Sequence, residues 1–287
     1  MTLQDFKEIF HSALSKLYPK TEIDSFFFLL IEQYLNLQRI DSILKADFKI
    51  SKDQIKRLER ATKRLQKEEP IQYILGNTCF YGLPFVVNKS VLIPRPETEE
   101  LVEWILSSVS EYQKEKKKTL TILEVGTGSG CISIALKKHV PNATVVAIEI
   151  SKEALKIAQE NSRINQVEIQ FILQDVLKPF TLSQQFDIIV SNPPYVREVE
   201  KKTIRSNVLH NEPHIALFVE DHKPLLFYDK ISELSNNYGN TGGYLFFEIN
   251  QYLGSETVSL LKNKGFKNIE LKKDFQGNNR MIRSQIE

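Results

Sequence analysis

The sequence predicts an α/β protein in which a mostly parallel seven-stranded sheet follows a small helical bundle and a β-hairpin linker. After residue 119, short continuous apolar runs alternate with amphipathic helical stretches. Such runs are typical of parallel strands that are covered by helices on both faces. Before residue 70, apolar residues recur at steps of three and four without a strand-like run, and that spacing is typical of helices that pack against one another.

The chain divides into three segments on this basis. Residues 1–70 are predicted to form the helical bundle, residues 71–95 the hairpin linker and residues 96–287 the α/β domain. The hairpin is predicted because Gly76, Gly82 and Pro84 interrupt apolar and β-branched runs. A helix is expected over residues 98–107, after two closely spaced prolines, with Thr98 as its N-terminal cap.

Apolar runs bounded by turn residues predict the strands of the α/β domain. Five of them read as buried strands and two as a closing hairpin, at residues 121–125, 144–148, 169–173, 186–190, 243–249, 267–271 and 281–285. Amphipathic helices are predicted over residues 152–161 and 254–264. In such a sheet, ligands bind beyond the carboxyl ends of the strands, so polar residues at those ends are the candidate site.

Composition narrows the class of protein. The 38 Lys and Arg nearly balance the 36 Asp and Glu, which is unlike the strongly basic surface of a protein that coats nucleic acid. The five histidines show no ligand spacing, so no metal is predicted. The N-terminus is polar and the longest apolar run spans residues 26–31, far short of the roughly 20 residues of a membrane helix. We therefore expect a soluble cytoplasmic protein.

A glycine-rich turn follows the first predicted strand of the domain. It reads Glu-Val-Gly-Thr-Gly-Ser-Gly over residues 124–130, and glycine lets a backbone turn sharply and approach a ligand closely. A phosphate-binding P-loop would continue with Lys and Ser or Thr, and a dinucleotide fingerprint would have glycine where Cys131 stands. A third interpretation is a nucleoside cofactor without a pyrophosphate. An acidic residue before Gly-x-Gly-x-Gly resembles the first motif of Rossmann-like methyltransferases.

Acidic residues at two later strand ends fit a nucleoside. Glu149 ends the second strand, where its carboxylate can accept hydrogen bonds from both hydroxyls of a ribose, although NAD sites use the same arrangement. Asp175 follows the third strand and is predicted to meet an adenine amino group, with Val176 packing on the ring. These ends share one edge of the sheet with the glycine turn, so the sequence predicts one cofactor site there.

The most informative motif is Asn-Pro-Pro-Tyr at residues 192–195, directly after the fourth predicted strand. The prolines Pro193 and Pro194 restrict the backbone and remove two N–H donors, so the loop is stiff. The side-chain carbonyl of Asn192 and the backbone carbonyl of Pro193 can then accept both hydrogens of one NH2 group, and Tyr195 offers a flat face to a planar acceptor. Such contacts localise the lone pair of an amide or exocyclic amine, so that catalysis rests on orientation and electrostatics.

This motif resembles those of adenine-N6 DNA methyltransferases and of glutamine-N5 protein methyltransferases. Five further segments resemble the bacterial release-factor glutamine methyltransferases (the PrmC/HemK family). They are Pro-Ile-Gln-Tyr-Ile-Leu-Gly at 70–76, Phe-Tyr-Gly-Leu at 80–83, Leu-Ile-Pro-Arg-Pro-Glu-Thr-Glu at 92–99, Asn-Glu-Pro at 211–213 and Asp-x-x-Gly-x-x-Arg at 274–280. The resemblance covers essentially the whole chain.

The resemblance implies a Rossmann-like class I methyltransferase fold with S-adenosylmethionine as the cofactor. The substrate would be the glutamine of the Gly-Gly-Gln motif in class I peptide-chain release factors, methylated on its side-chain nitrogen N5. The motif residues and the resemblance together imply cofactor contacts from Glu124, Gly126, Thr127, Gly128, Ser129, Gly130, Glu149, Asp175, Val176 and Asn192. The glutamine amide would be held by Asn192, Pro193, Pro194 and Tyr195, with Asn192, Pro193 and Tyr195 as the catalytic residues. The resemblance also implies that Phe80 packs on the substrate side chain and that Arg95 orders the site.

Two departures from the family pattern and two alternative functions stay open at this stage. Glu124 stands where Asp is common, and residues 208–211 lack the regular charged and aromatic pattern of the family. We expect a monomer that binds its protein substrate transiently through residues 1–70 and does not bind nucleic acid directly. The alternatives are an adenine-N6 nucleic-acid methyltransferase and a cofactor-binding partner of translation factors without catalysis.

Overall fold

The structure is a computed structural model that describes residues 1–116 and 119–287. Its α-helices, in chain order, are α1 (Leu3–Leu14), α2 (Lys20–Leu35), α3 (Asp41–Leu44), α4 (Lys52–Leu65), α5 (Ile71–Leu75), α6 (Pro96–Lys116), α7 (Cys131–His139), α8 (Lys152–Ile164), α9 (Ser206–Asn211), α10 (His214–Leu217), α11 (Leu226–Tyr238) and α12 (Gly254–Asn263). A 3-10 helix spans Glu198–Thr203.

The strands, in the same order, are β1 (Asn77–Phe80), β2 (Leu83–Val86), β3 (Thr121–Val125), β4 (Thr144–Glu149), β5 (Gln170–Leu173), β6 (Phe186–Ser191), β7 (Val196–Arg197), β8 (Phe218–Val219), β9 (Gly239–Glu248), β10 (Lys267–Lys273) and β11 (Asn279–Gln285). The chain separates into two compact units. Unit 1 contains Met1–Gly76 and Arg205–Asn211, and unit 2 contains Asn77–Ile204 and Glu212–Glu287.

Unit 1 is a helical bundle. Its first helix shows how apolar residues at steps of three and four form one buried face. Helix α1 begins with a capping box in which the Thr2 side chain and the Asp5 side chain bond to each other's backbone N–H. Its apolar stripe is buried through Leu3, Phe6, Phe10 and Leu14, as expected for a helix that packs on one face. Helix α4 begins with a second capping box, between Ser51 and Gln54.

Two features of unit 1 differ from the expectation. Residues 71–75, at the start of the predicted hairpin linker, form a helix because Pro70 suits the position before a helix and Gly76 ends it with a φ of 78°. Helix α9 also belongs to unit 1, although it lies within the predicted α/β segment. The Ser206 hydroxyl donates to the Glu68 carboxylate at 2.6 Å, and the Asn211 side chain donates to the Glu68 carbonyl at 3.2 Å. Contacts between residues so far apart in sequence produce no local sequence pattern, so the place of α9 in unit 1 could not be predicted.

Unit 2 is built on the predicted seven-stranded sheet, in the order β10-β11-β9-β6-β3-β4-β5. The neighbours from β9 to β5 are parallel, and β11 pairs antiparallel with both β9 and β10. Alternate residues of β3 enter two separate cores, with Ile122 packed among residues of α6 and α7 and Leu123 among residues of α11 and α12. The sheet is therefore covered by helices on both faces, which confirms the predicted α/β class.

The start of helix α6 corrects one prediction. The helix begins at Pro96 and runs to Lys116, so Thr98 lies inside its first turn and is not its cap. Proline is favourable in a first turn, because the N–H that it lacks has no partner within the helix there. The backbone N–H of Thr98 donates to the Arg95 carbonyl at 3.1 Å. The Thr98 hydroxyl is thereby left free for a long-range contact described below.

The change of direction in the sheet lies between β3 and β6. From β3 the chain adds β4 and β5 on one side, and β6 pairs with β3 on the other side. Val125, the last residue of β3, is paired with Ser191, the last residue of β6. Loops that leave these two strands therefore start side by side at the carboxyl edge of the sheet, where ligands bind in folds of this kind.

Candidate active site

A cavity of about 270 Å³ opens at this carboxyl edge in unit 2. The glycine turn forms part of its lining through residues 126–129. The other predicted site residues that line it are Arg95, Glu124, Glu149, Asp175, Val176, Asn192, Pro193 and Pro194. Most of the predicted cofactor residues and the acceptor loop therefore border the same space.

The glycine turn is held on the end of β4 by two backbone bonds. The N–H groups of Gly126 and Thr127 both donate to the Ile148 carbonyl, at 2.8 and 3.0 Å. Gly126 and Gly128 have φ values of 76° and 54°, a conformation that suits glycine. A Cβ atom added to either of them would meet no atom within 4 Å, so the backbone faces open space there.

Gly130 has a different reason for being glycine. Its φ is 82°, and an added Cβ would lie 2.9 Å from the Ile134 side chain and 3.3 Å from the Ala158 Cβ. It does not border the cavity, since α7 and α8 pack closely over it. Gly130 therefore serves the packing of the turn and is not placed to contact a ligand.

Glu124 supports the turn from within the protein. Its carboxylate is buried, and Oε2 accepts hydrogen bonds from the Thr127 hydroxyl at 2.5 Å and from the Ser133 backbone N–H at 3.0 Å. Burial raises the pKa of Glu124 to about 7, against the lowering effect of these hydrogen bonds. Glu124 thus joins the turn to the first residues of α7.

Glu149 is fixed at the end of β4 by three backbone N–H groups. Its Oε1 accepts from Ile150 and Ser151, each at 2.9 Å, and its Oε2 accepts from Gly128 at 2.9 Å. A carboxylate has about four acceptor positions, so at least one remains for a further donor. The bond to Gly128 also couples Glu149 to the glycine turn, so that the two parts of the predicted cofactor site form one unit.

Asp175 and Val176 line the cavity after β5, as the predicted cofactor role requires. The Asp175 carboxylate accepts a hydrogen bond from the Leu177 backbone N–H at 2.9 Å and lies 3.7 Å from the Lys178 ammonium. Val176 is partly buried and packs against the apolar core of unit 2. The backbone before them is held by a bond from the Gln174 N–H to the Glu149 carbonyl at 2.8 Å.

Asn192 follows β6 with the nitrogen of its side chain already engaged. Its Nδ2 donates to the hydroxyl of Thr98 at 3.4 Å. The preceding Ser191 hydroxyl donates to the Val125 carbonyl at 2.7 Å, which ties the end of β6 to the end of β3. With the nitrogen engaged, the carbonyl oxygen Oδ1 is the part of the Asn192 amide that remains to accept hydrogens from a substrate.

Tyr195 and Phe80 do not border the cavity, and the expectation for Phe80 is wrong. The Tyr195 hydroxyl donates to Glu248 Oε1 at 2.9 Å, so the polar end of this side chain is engaged within unit 2. Phe80 is 1% exposed and packs edge-on against Phe85, with ring centroids 6.0 Å apart. A ring so enclosed fills the core and offers no face to a substrate side chain.

Sequence reasoning missed Glu248, the last residue of β9. Its side chain is 1% exposed and accepts hydrogen bonds from the Thr98 hydroxyl at 2.7 Å and from Tyr195. Burial raises the pKa of Glu248, against the hydrogen bonds and the positive charge of Arg280. The signal in the sequence was a single carboxylate directly after the apolar residues 244–247, because a buried charge needs polar partners.

Arg95 borders the cavity and ties its rim together. Its guanidinium lies 2.6 Å from Glu212 Oε1, and the other Glu212 oxygen accepts from the Ile93 N–H at 3.2 Å. Glu212 is nearly fully buried, and the following residues Pro213 and Ala216 line the cavity. The ion pair therefore fastens one wall of the cavity to the loop before α6.

Residues 1–116 and 119–287 contain no cluster of three or more His, Cys, Asp or Glu side chains that could hold a metal ion. In the same ranges, every helix is too short or too polar to cross a membrane.

Comparisons with known proteins agree along the whole chain. A family model described as the PrmC N-terminal domain matches residues 11–76, and one described as the methyltransferase small domain matches residues 106–215. The release factor glutamine methyltransferase of Flavobacterium psychrophilum is 51% identical over 283 residues, with 99% of each chain covered. That of Bacteroides thetaiotaomicron is 41% identical over 271 residues, covering 94% of this chain and 95% of the relative.

Solved structures share the fold at low sequence identity. The catalytic domain of hMettl16, in complex with a MAT2A 3'UTR hairpin, has a TM-score of 0.55 at 13% identity and covers 83% of each chain. The 16S rRNA N2 G1207 methyltransferase RsmC of T. thermophilus has a TM-score of 0.51 at 19% identity, covering 74% of this chain and 50% of that chain. They show the Rossmann-like class I methyltransferase fold. The relatives that are 51% and 41% identical over nearly the whole chain show more: the chain belongs to the release factor glutamine methyltransferase family.

Proposed function

We infer that this protein is an S-adenosylmethionine-dependent enzyme that methylates the side-chain amide nitrogen of a glutamine in a peptide-chain release factor. The relatives that cover nearly the whole chain are named release factor glutamine methyltransferases. The observation that carries the inference is the pairing of Val125 with Ser191. It places the glycine turn and Asn192 at neighbouring strand ends, so that a cofactor and an amide can meet in one cavity.

The residues around the cavity fit S-adenosylmethionine. Open space lies over the backbone of Gly126 and Gly128, which lets a ligand approach closely. Glu149 retains acceptor capacity for ribose hydroxyls, and its position is fixed by three backbone donors. Asp175 and Val176 line the cavity, and in this proposal they contact the adenine. We propose these residues, with Glu124 and Gly130 supporting the turn and Asn192 at the reacting end, as the cofactor site.

The acceptor chemistry follows from the Asn192 loop. When bound, the cofactor supplies an electrophilic methyl group on a positively charged sulfur. The Asn192 Oδ1 and the Pro193 carbonyl accept the two N–H hydrogens of the glutamine amide and hold its nitrogen toward that methyl group. As the nitrogen–carbon bond forms, the carbon–sulfur bond breaks and the sulfur keeps its electron pair. The two oxygens stabilise the positive charge that develops on the nitrogen, whose proton then passes to solvent water, so no ionised base is needed beforehand.

Tyr195 acts in this proposal by anchoring the loop. Its hydroxyl is bonded to Glu248, and its backbone carbonyl accepts from the Asn250 side chain at 2.9 Å. Pro194 keeps the intervening backbone stiff, and Arg95 keeps the cavity wall in place through Glu212. The loop therefore presents a preformed pair of acceptors, and little ordering is left for the moment of substrate binding.

Finer features of the substrate are also proposed. The acceptor is the glutamine of the Gly-Gly-Gln motif in class I release factors, and the product carries N5-methylglutamine. Residues 1–70 recognise the release factor, and the enzyme acts as a monomer in the cytoplasm without binding nucleic acid directly. If residues 1–70 bind the folded substrate, catalytic efficiency on an intact release factor will exceed that on a short Gly-Gly-Gln peptide. Equal efficiency on the two would refute this recognition role.

The experiment that tests the acceptor class uses cofactor labelled in its methyl group. The enzyme is incubated separately with an intact release factor and with adenine-containing DNA, and the label in each macromolecule is counted. We expect label in the release factor and background counts in the DNA. Label in the DNA alone would mean that the substrate is an adenine, and label in neither, with intact cofactor binding, would favour a binding partner without catalysis.

A further inference from the structure

We propose that Thr98 and Glu248 are positioning residues that set the orientation of the Asn192 side-chain amide. They hold its nitrogen toward the protein, which leaves its oxygen for the acceptor. This inference rests on the proposed methyl transfer, because the orientation matters only if Asn192 accepts hydrogens from a substrate amide. The two residues lie on α6 and β9, far in sequence from the Asn192 loop, and neither belongs to the glycine turn or to that loop.

The direction of each hydrogen bond follows from the chemistry of the carboxylate. The Thr98 hydroxyl donates to Glu248 Oε2 at 2.7 Å and the Tyr195 hydroxyl donates to Oε1 at 2.9 Å, as expected where a carboxylate provides the acceptors. Burial raises the pKa of Glu248, and the two hydrogen bonds and the positive charge of Arg280, which is itself paired with Asp274 at 3.0 Å, oppose that rise. Both Glu248 oxygens thus accept a hydrogen bond, one from α6 and one from the acceptor loop.

Because the Thr98 hydroxyl donates to Glu248, it can only accept a hydrogen bond from Asn192. Since its single hydrogen is engaged by Glu248, only its lone pairs remain, and they can receive only a donor. The Asn192 amide has one donor end and one acceptor end, and its Nδ2 is the end found 3.4 Å from Thr98 Oγ1. An amide rotated by 180° would place two lone-pair-bearing oxygens against each other, which is repulsive. Oδ1 is therefore held for the acceptor.

This orientation matters because the two ends of an asparagine amide have opposite effects on a reacting nitrogen. An Oδ1 that accepts from the substrate amide stabilises positive charge on its nitrogen, whereas an Nδ2 in the same place would donate and oppose the reaction. The restriction also removes one rotation that substrate binding would otherwise have to freeze. Loss of Thr98 or of Glu248 should therefore lower the rate of methyl transfer more than it weakens the binding of either substrate.

The test compares variants that differ in a single hydroxyl. Thr98→Val keeps the shape and removes the bond, and Thr98→Ser restores the hydroxyl. We expect Thr98→Val to lower kcat for release factor methylation by roughly 10- to 100-fold, with KM and the cofactor Kd nearly unchanged, and Thr98→Ser to recover most of the lost rate. Glu248→Gln should also lower kcat, because its NH2 group can donate to Thr98 and so reverse the direction of the chain of bonds.

Matched controls separate orientation from stability. Thr257 is a buried helical threonine whose hydroxyl donates to the Leu253 carbonyl at 2.7 Å, and Asp187 is a buried carboxylate that accepts from Tyr112 and Thr121 at the opposite end of the sheet. Thr257→Val and Asp187→Asn should cost stability without changing kcat at a temperature where both are folded. A Thr98→Val enzyme within twofold of wild type, or a Thr98→Ser enzyme as slow as Thr98→Val, would overturn the proposal.

A second measurement needs no protein substrate, so a failure of the proposed function leaves the orientation testable. In protein with 15N-labelled asparagine, the Nδ2 hydrogens of Asn192 should exchange with water more slowly in wild type and Thr98→Ser than in Thr98→Val. Wild type that leaves the release factor unmethylated would refute the function. Equal exchange in all three proteins would refute the orientation by Thr98.

Discussion

Asn192 combines a fixed nitrogen with an oxygen that is left for a substrate, and this is the residue-scale basis of the proposed chemistry. Its Nδ2 is bonded to Thr98, and the loop that follows is stiffened by Pro193 and Pro194. The residue lies at the end of β6, beside the end of β3 that begins the glycine turn. One side chain can therefore serve the acceptor without taking part in the structure of the cofactor turn.

Replacing Asn192 should separate catalysis from cofactor binding. Asn192→Ala removes one of the two acceptors for the amide hydrogens, so we expect kcat to fall by roughly 10²-fold or more. The dissociation constant for S-adenosylmethionine should change little, because the glycine turn and Glu149 are untouched. Steady-state kinetics and calorimetric titration measure the two quantities. Unchanged turnover in Asn192→Ala would contradict the assigned role.

Replacing Glu149 should weaken the binding of the cofactor. Glu149→Gln puts an NH2 group where a carboxylate oxygen now accepts from Gly128 or from Ile150 and Ser151. Hydrogen bonds to a charged group contribute about 1.5–3 kcal/mol, so the cofactor Kd should rise at least about 10-fold. The exposed Glu153, in the first turn of α8, gives the matched control Glu153→Gln. If both variants bind the cofactor as wild type does, Glu149 does not hold it.

At the scale of elements, glycine is needed at the two ends of the glycine turn for different reasons: Gly126 faces the cavity and Gly130 is closely packed. Gly126→Ala puts a methyl group into open space in the cavity, whereas Gly130→Ala forces one to within 2.9 Å of the Ile134 side chain. Both need a positive φ, which costs about 1 kcal/mol or more for alanine. We expect Gly126→Ala mainly to weaken cofactor binding and Gly130→Ala to lose more free energy of unfolding.

Denaturant unfolding with and without the cofactor distinguishes the two glycine variants. The cofactor should add less stability to Gly126→Ala than to Gly130→Ala, since only the former loses affinity. If both variants lose stability and affinity to the same extent, the assignment of Gly130 to packing and of Gly126 to binding is wrong.

The elements that could be predicted from the sequence are those with a local pattern. The apolar runs of β3 and β6 and the turn residues after them locate the strand ends, and because parallel strands share an edge they also place the glycine turn near Asn192. Long-range pairing was not predictable. The resemblance implied that Phe80 contacts the substrate, but its ring packs against Phe85 in the core.

Thr98 and Glu248 show the same limit at the site itself. Thr98 has the residue type and position of a helix cap, and only the long-range bond to Glu248 shows that its hydroxyl serves another purpose. Glu248 stands in an apolar strand, where the sequence shows that a charge is buried without showing its partners. Helix α9 joins unit 1 through Glu68, which lies more than a hundred residues earlier in the chain.

At the scale of the whole molecule, the buried carboxylate of Glu124 makes stability depend on pH. Burial raises its pKa from 4.5 to about 7 in the folded protein, so the folded state binds the proton more tightly than the unfolded state. Its contribution to stability is complete below pH 4.5 and is lost as the pH rises to about 7. At about 1.4 kcal/mol for each tenfold change in proton concentration, the loss is on the order of 3 kcal/mol.

Glu124→Gln should remove this part of the pH dependence. The free energy of unfolding, measured by denaturant titration between pH 4.5 and pH 7, should fall less steeply in Glu124→Gln than in wild type. Glu248 contributes a slope of the same sign, because burial raises its pKa too, so the slope should decrease without vanishing. Glu153→Gln is the exposed control. Identical slopes in wild type and Glu124→Gln would show that Glu124 is ionised throughout.

The function of the whole molecule is tested most directly by locating the transferred methyl group. An intact class I release factor is incubated with the enzyme and S-adenosylmethionine, digested, and the Gly-Gly-Gln peptide is fragmented in a mass spectrometer. We predict a gain of one methyl group on the glutamine side chain with wild type and a large loss of that product with Asn192→Ala. An unmodified glutamine, or a methyl group on another residue, would contradict the proposed reaction.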